Sequence, residues 1–372
     1  MKKYLNQRDM KDRNVTNVFR LIRKKGPITR RQIESETGLS WGAVSGVTAK
    51  LIDLGYVHEC KEPDGAQNAA GRTPIYLEAD CETYFVIGVD VNASGFRGVL
   101  MNLCGCVAET VCAPATCDTA EALISGVSSL LEALLALADG KRVLCIGVAM
   151  QGEVDSENGI SVRFPRCEGG RDLPLAAILE ERFGLPVFLE HDPNCILYAY
   201  SVPSHLEEAI LVRIDCGIGM AVLMNGKIFD RLGAFELGHT VVHRDGAVCS
   251  CGKRGCLEAY ASMTGMAERS GIAFEALAER ARRGEDTAVS YFRETAECLA
   301  VAITNAVQLL NLRGVVLCGD LLKERDLFYG QLVAEANRIT GERQLAFSVT
   351  DVAEAARGGA MIALERYALR LE

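Results

Sequence analysis

The 372-residue chain lacks any long, uninterrupted apolar run. It opens on MKKYLNQRDMKDRN, which stays charged, so no secretory signal is expected. Its most apolar stretch, Ala122 to Ala138, is broken by Gly126, three serines and Glu132, so no membrane span is expected either. Positive charge is also short. Lys and Arg number 40 against 49 Asp and Glu, a net of −9, which argues against nucleic acid as a partner of the chain as a whole. What is present is a hydrophobic content of 49 %, enough at this length for two or three cored domains in a cytoplasmic globular protein. The charge is uneven, however. Residues 1 to 59 hold twelve Lys and Arg against six Asp and Glu, leaving 28 against 43 in the rest. A basic head on an acidic body suggests two jobs.

Cysteine is plentiful, at 15 copies, and one cluster of it is organised. His239 is followed after nine residues by Cys249, after one by Cys251 and after four by Cys256, the soft-ligand set of a closed zinc site. Gly252 and Gly255 inside CSCGKRGC let the backbone turn tightly enough to aim the thiolates inward. His239 also ends GAFELGH, where Glu236 could grip a polar ligand, so the metal reads as a brace for a small-molecule pocket. The other twelve cysteines, Cys104 and Cys106 among them, show no such set, and most are expected to be small buried hydrophobes in a reducing compartment.

In the basic head, Val15, Val18, Phe19 and Ile22 recur at helical spacing until Gly26 and Pro27 stop them. Thr29 and Gln32 make a capping-box signature for a short second helix ending near Gly38. Ser40 then caps a third, whose Val44, Val47, Leu51 and Leu54 form the buried stripe. Gly42, Ser45, Gly46, Ala49 and Lys50 are left outside, small and polar enough to approach base edges in a major groove. YVHEC and GRTPIYLEAD read as a two-stranded wing with Arg72 near its tip, suited to a minor groove or a phosphate. Arg30 and Arg31, at a helix start, are candidate clamps on the DNA backbone, and Trp41 either packs on sugar and phosphate or closes the head's core. The layout is a winged helix-turn-helix over residues 1–80, with operator DNA as its expected partner; the plainer alternative is an interaction domain with solvated basic residues.

The body alternates strands and helices. YFVIGVDV, FRGVLMNL and CVAETVC suit a meander, a long helix runs to Ala138, and VLCIGVAM follows as a buried strand. The order recurs with EEAILVRID, GMAVLMNG, further helices, VVLCG and LAFSVTDV, which predicts two similar α/β lobes with a cleft between them.

GVAMQGEVDSENG, PLAAILEERFGLPVFLEHD, GAFELGHTVV, CSCGKRGCLEAYAS and GVVLCGD together resemble the ROK family of sugar kinases and sugar-responsive repressors, from about Tyr84 to the end. The resemblance implies an actin-like, ribonuclease H-like body over residues 81–372, with one lobe at about 81–192 plus the C-terminal helix and the other at 193–357. A winged head is typical of the repressor branch. The resemblance also implies residue roles. Asp192 falls where the kinases hold the base for a sugar hydroxyl, while Glu236, His239 and Glu258 match other sugar-gripping positions. Carboxylates suit vicinal hydroxyls because each accepts charge-assisted hydrogen bonds. Taken singly, Asp192 could cap a helix, Glu236 could be surface, and Glu258 could serve a helix dipole.

A kinase of this family needs glycine-rich phosphate turns, and three are altered. The first reads Asp90, Val91, Asn92, Ala93, Ser94, the second is DCGIGM with an added Asp215, and the third is Cys318, Gly319, Asp320. His191 stands where the kinases have Asn, and Gln151 where they have Pro. Phosphotransfer from ATP is therefore not expected. The expected protein is a zinc-braced, sugar-responsive regulator, most simply a repressor, acting as a homodimer or homotetramer released from DNA by a sugar or sugar phosphate held between the lobes. The alternatives are a kinase bearing a DNA-binding head and a regulator whose input is a partner protein.

Overall fold

The structure is a computed structural model and describes residues 7–61, 74–115, 117–165, 167–229 and 235–369. Two compact units emerge: Met1–Val148 with Arg166–Leu189 and Gly359–Glu372, and Ala149–Pro165 with Glu190–Gly358.

The head comprises α1 (Gln7–Lys25), β1 (Ile28–Thr29), α2 (Arg30–Thr37), α3 (Trp41–Asp53), β2 (Val57–Cys60) and β3 (Tyr76–Ala79). Val15, Val18, Phe19 and Ile22 of α1 are buried with Ile33, Val44, Val47 and Leu51, which is the helical stripe the spacing predicted; Leu54, at the end of α3, is half-buried. Both ends of α2 are fixed locally. Thr29 and Gln32 complete the capping box, and Gly38 ends the helix at φ 68°, a left-handed conformation that favours glycine. Ser40 caps α3 by accepting from Ala43 N at 3.4 Å. The wing is an antiparallel sheet of order β1-β3-β2, in which β1 had no signal of its own because two residues are too short for a pattern.

The head is fastened to the rest of its unit. Tyr84 stacks on Tyr56 with ring centroids 4.1 Å apart and donates its hydroxyl to Leu54 O at 2.8 Å. Arg20 and Arg23 both bond Glu365, and Leu369 N donates to Thr16 Oγ1 at 3.2 Å.

Next come β4 (Tyr84–Asn92), β5 (Gly95–Asn102) and β6 (Val107–Ala113), an antiparallel meander, and α4 (Ala120–Leu137). Helix α4 is long and apolar enough by composition to cross a membrane. It lies against β5 and β6, with Leu130 and Leu134 seated over Gly98 and Leu123, Val127 and Leu131 buried, so its apolar face has a protein partner. Strand β7 (Arg142–Met150) follows; β8 (Glu153–Asp155) and β9 (Ile160–Arg163) form a hairpin of the second unit; β10 (Arg171–Leu173), α5 (Leu175–Phe183) and β11 (Val187–His191) come next. The first large sheet has order β11-β7-β4-β5-β6.

The second unit continues through α6 (Asp192–Ser204), β12 (Ala209–Ile214), β13 (Ile218–Met224), β14 (Lys227–Ile228), α7 (Glu258–Ala261), α8 (Met263–Ser270), α9 (Phe274–Arg282), α10 (Asp286–Leu310), β15 (Gly314–Cys318), α11 (Tyr329–Thr340) and β16 (Ala346–Val349); the last described element, α12 (Glu354–Arg366), belongs to the first unit from Gly359 on. Its sheet runs β14-β13-β12-β15-β16. Counted along the chain, both sheets therefore have strand order 3-2-1-4-5, which is the duplication expected of an actin-like body. Helix α10 supplies much of the second core through Phe292, Leu299, Ile303 and Val307.

The cysteines depart from expectation. Cys81 and Cys104 are joined by a disulfide, pairing the link after β3 with the turn after β5. Of the free ones outside the His239 cluster, Cys145, Cys195, Cys298 and Cys318 are buried, but Cys106, Cys112 and Cys216 are exposed and Cys60, Cys117 and Cys167 half-buried. The reason is placement, since several lie on turns or on β6, whose side chains are largely exposed.

Candidate functional site

Two of the body's candidate residues, Asp192 and Glu258, are tied to the turn between β12 and β13. Strand β11 ends at His191, and Asp192 opens α6 with Pro193 behind it, a position where proline's missing N–H costs nothing. Asp192 does not cap the helix: the cap position falls to His191, and Asp192 is the first residue of α6, 3 % exposed. Its Oδ2 instead accepts from Arg213 of β12, while Oδ1 lies 3.5 Å from His191 Nε2. Beside it, Glu190 is buried and accepts from Ser156 Oγ, Asn194 Nδ2 and His191 N at 3.1, 2.8 and 2.8 Å.

Arg213 also donates through Nε to Asp215 Oδ2 at 2.5 Å. The other oxygen of Asp215 takes the backbone N–H of Asp320. Register explains this link. Strand β12 runs parallel to β15 with Arg213 opposite Cys318, so Asp215, two residues on, falls beside Asp320. Gly319 is required between them: at φ 113° it sits where a Cβ would come within 2.2 Å of Ile214 O.

Beyond the turn, Ile218 N donates to Glu258 Oε2 at 3.1 Å, and Ser250 donates to Oε1 at 3.3 Å. Gly217 leaves room for that carboxylate, since a Cβ there would lie 3.0 Å from Glu258 Oε2. Glu258 stands in the first turn of α7, where it could serve the helix dipole, yet it also ties α7 to the β12–β13 turn. Glu236 is different. Its side chain is 62 % exposed, with Oε2 3.7 Å from His239 Nε2.

His239 lies in a 3-10 turn, Leu237–His239, and presents Nδ1 3.6 Å from Cys249 Sγ. Cys251 and Cys256 have their sulfurs 3.7 Å apart, and the four donor atoms of His239, Cys249, Cys251 and Cys256 all lie within 4.8 Å of one another, a group that could hold a metal ion. The backbone makes this possible through Cys249 N to Lys253 O at 2.8 Å and Gly252 N to Cys249 O at 2.9 Å. Gly255, at φ 75°, is forced by close approach, because a Cβ would strike His243 O at 1.6 Å. Burial pushes the Cys256 thiol up to about 12, while the Lys253 backbone N–H lowers Cys251.

In the head, Arg31 is exposed and Trp41 is 50 % exposed, so the indole stands outside the head's core. Arg30 is differently used. Its guanidinium donates to Thr48 Oγ1 at 3.0 Å and to Glu59 at 2.9 Å, bracing α2 against α3 and β2 rather than reaching outward as a clamp. Ser40, Ser45 and Lys50 all lie on α3 or its cap, Ser45 and Lys50 half-buried. Arg72 lies outside the described residues.

Residues 86–364 match the family model described as ROK family. The chain belongs to that family. Among its relatives are the xylose repressor of Bacillus subtilis (strain 168), 23 % identical over 330 residues that cover 85 % of this chain and 84 % of the other, and the DNA-binding transcriptional dual regulator NagC of Escherichia coli (strain K12), 27 % identical over 337 residues covering 84 % and 81 %. A ROK family transcriptional regulator, a homologue of the E. coli MLC protein, superposes with a TM-score of 0.80 at 20 % identity and covers 96 % of this chain and 97 % of its own. The ROK family glucokinase of Streptomyces griseus, solved with glucose and AMPPNP, gives 0.62 at 24 % identity and covers 75 % of this chain against 99 % of its own. These structural likenesses establish the shared ROK fold.

Sequence reasoning missed Arg213. Its signal was a charged residue inside an otherwise apolar strand, with Asp215 two positions on and therefore on the same face. Asp215 was expected near the altered ROK turns, but not that it bonds the amide of one of them.

Proposed function

We propose that this ROK protein is a sugar-responsive, DNA-binding transcription regulator, most simply a repressor acting in the cytoplasm, and that it is not a kinase. The observation that carries the reading is one chain holding both a winged helix-turn-helix and a ROK body in which Asp192 is bound to an arginine. Helix α3 would enter the major groove, with Arg31, Ser40, Trp41, Ser45 and Lys50 near DNA and the wing bearing Arg72 beside it. A homodimer or homotetramer would pair two heads on a palindromic operator.

A zinc ion would be held by His239, Cys249, Cys251 and Cys256. A tetrahedral site with Zn–S of about 2.3 Å has sulfur-to-sulfur edges of about 3.8 Å, close to the 3.7 Å between Cys251 and Cys256, and the shorter 3.6 Å from Cys249 to His239 suits the shorter bond to nitrogen. When bound, zinc would supply a structural cross-link between the 3-10 turn and the cysteine hairpin. His239 would then turn Nε2 toward Glu236 and the ligand, and Ser250, between two ligands, would steady Glu258.

The effector, a sugar or sugar phosphate, would donate hydroxyls to Asp192, Glu236 and Glu258. Against phosphotransfer stand three local arrangements. Asn92 folds back to accept from Ser94 N at 2.9 Å and to donate to Asp90 at 2.9 Å, Asp215 takes the Asp320 amide, and Arg213 holds an oxygen that a base would need free. Effector binding would shift the population of DNA-competent conformers by its differential affinity for them.

The test is fluorescence anisotropy with an operator selected from a random library by the full-length, zinc-loaded protein, titrated with a sugar panel. Release by one sugar class supports the reading. Release by cell extract but by no small molecule would favour a partner protein as input, and ATP-dependent phosphorylation of a hexose would establish a kinase.

A further inference from the structure

Resting on that reading, we infer that the effector is a neutral sugar, and that this site selects against phosphorylated ones by filling its own anion-holding donors with carboxylates. A phosphate needs a cation or bare N–H groups. Around the β12–β13 turn, three such donors are already taken. The Arg213 guanidinium is shared by Asp192 and Asp215. The Asp320 amide, at the turn after β15, goes to Asp215, and the Ile218 amide goes to Glu258. The N-terminus of α6 carries Asp192 in its first turn. Lys323, the neighbouring ammonium, is 74 % exposed and lies 2.9 Å from Asp320 Oδ1.

The charge balance points the same way. Among the described residues, Asp192 and Asp215 face Arg213 and Asp320 faces Lys323, with Glu258 on the Ile218 amide, Glu190 buried next to Asp192 and Glu236 beside His239. A dianionic phosphate entering here must displace Asp192 or Asp215 from Arg213, whose side chain is 11 % exposed. The displaced carboxylate would be left desolvated and without its cation, which is costly. A sugar hydroxyl needs no displacement, because it donates to carboxylate oxygens that are already in place. The same internal anions that weaken a triphosphate grip therefore also set the effector's charge.

The test is isothermal titration of the full-length, zinc-loaded protein with matched pairs, each sugar against its own phosphate ester, alongside operator release. For any pair that responds, the neutral member is expected to bind at least about tenfold more tightly. Asp215→Asn keeps the shape, removes one charge and loosens the hold on Arg213; it is expected to narrow that ratio by about tenfold. A phosphate ester that binds more tightly than its parent sugar overturns the inference and leaves the sugar-sensor reading standing. A ratio unmoved in a folded Asp215→Asn protein overturns the role given to Asp215. If no member of any pair binds or releases operator, the sugar-sensor reading itself falls.

Discussion

Asp192, Arg213 and Asp215 behave as one unit, and each substitution has its own direction. Arg213→Ala leaves two carboxylates without their cation, one of them on a residue 3 % exposed, and is expected to destabilise the fold by about 3 kcal/mol, read by denaturant titration. Asp192→Asn keeps a hydrogen-bond acceptor toward Arg213 but removes the charge that grips hydroxyls. Operator binding is expected to persist while effector release weakens at least about tenfold, measured as the sugar concentration for half-release. At the metal cluster, Cys256→Ser removes a buried sulfur donor; zinc content by mass spectrometry is expected to fall below one ion per chain, with loss of effector binding before loss of operator binding.

Among the elements, the link between β3 and β4 joins head and body within one unit, and Asp80 organises it. Burial alone would raise its carboxyl, but hydrogen bonds from Thr83 N at 2.7 Å and Glu82 N at 3.1 Å, with the Thr83 side chain, hold it below the usual range. Its folded value is thus depressed relative to an unfolded one of about 3.9. The stability it gives is present above that unfolded value and is lost as pH falls through the lower folded one. Melting temperature measured from pH 6 to pH 2 is expected to fall in the acid limb, and Asp80→Asn is expected to flatten that limb. The link is also where Cys81 bonds Cys104, so alkylation without reductant is expected to modify the exposed Cys106 and Cys112 while sparing that pair.

For the whole molecule, a basic head and a much longer acidic remainder would carry two tasks. The basic head should make operator affinity fall steeply with salt, with a log-log slope set by the number of phosphates it neutralises, whereas binding of a neutral effector should hardly change. Comparing the two slopes on one preparation checks the division of labour. Chelation is expected to lower effector affinity first, because the candidate metal ligands Cys249 to Cys256 run straight into Glu258, while the head draws its core from α1, α2 and α3.

Much of this was legible from residues alone wherever the information is local. The capping box at Thr29, the α3 stripe and the cysteine spacing over eight residues each depend on neighbours within one turn or hairpin, so their chemistry is written in their spacing. The repeat of strand and helix patterns likewise gave the duplicated body. What the pattern left open is what depends on register and on distant partners. Arg213 meets Asp192 across 21 residues, and Asp215 meets Asp320 across 105, through the parallel pairing of β12 with β15. Arg30 turned inward for the same reason, since Thr48 and Glu59 come to it only once α3 and β2 have packed. By itself the sequence determined which residue types were available to hold a metal, a sugar and DNA; the tertiary structure decided which of their charges are already satisfied, because an ion pair forms only between groups that folding brings within a few ångströms.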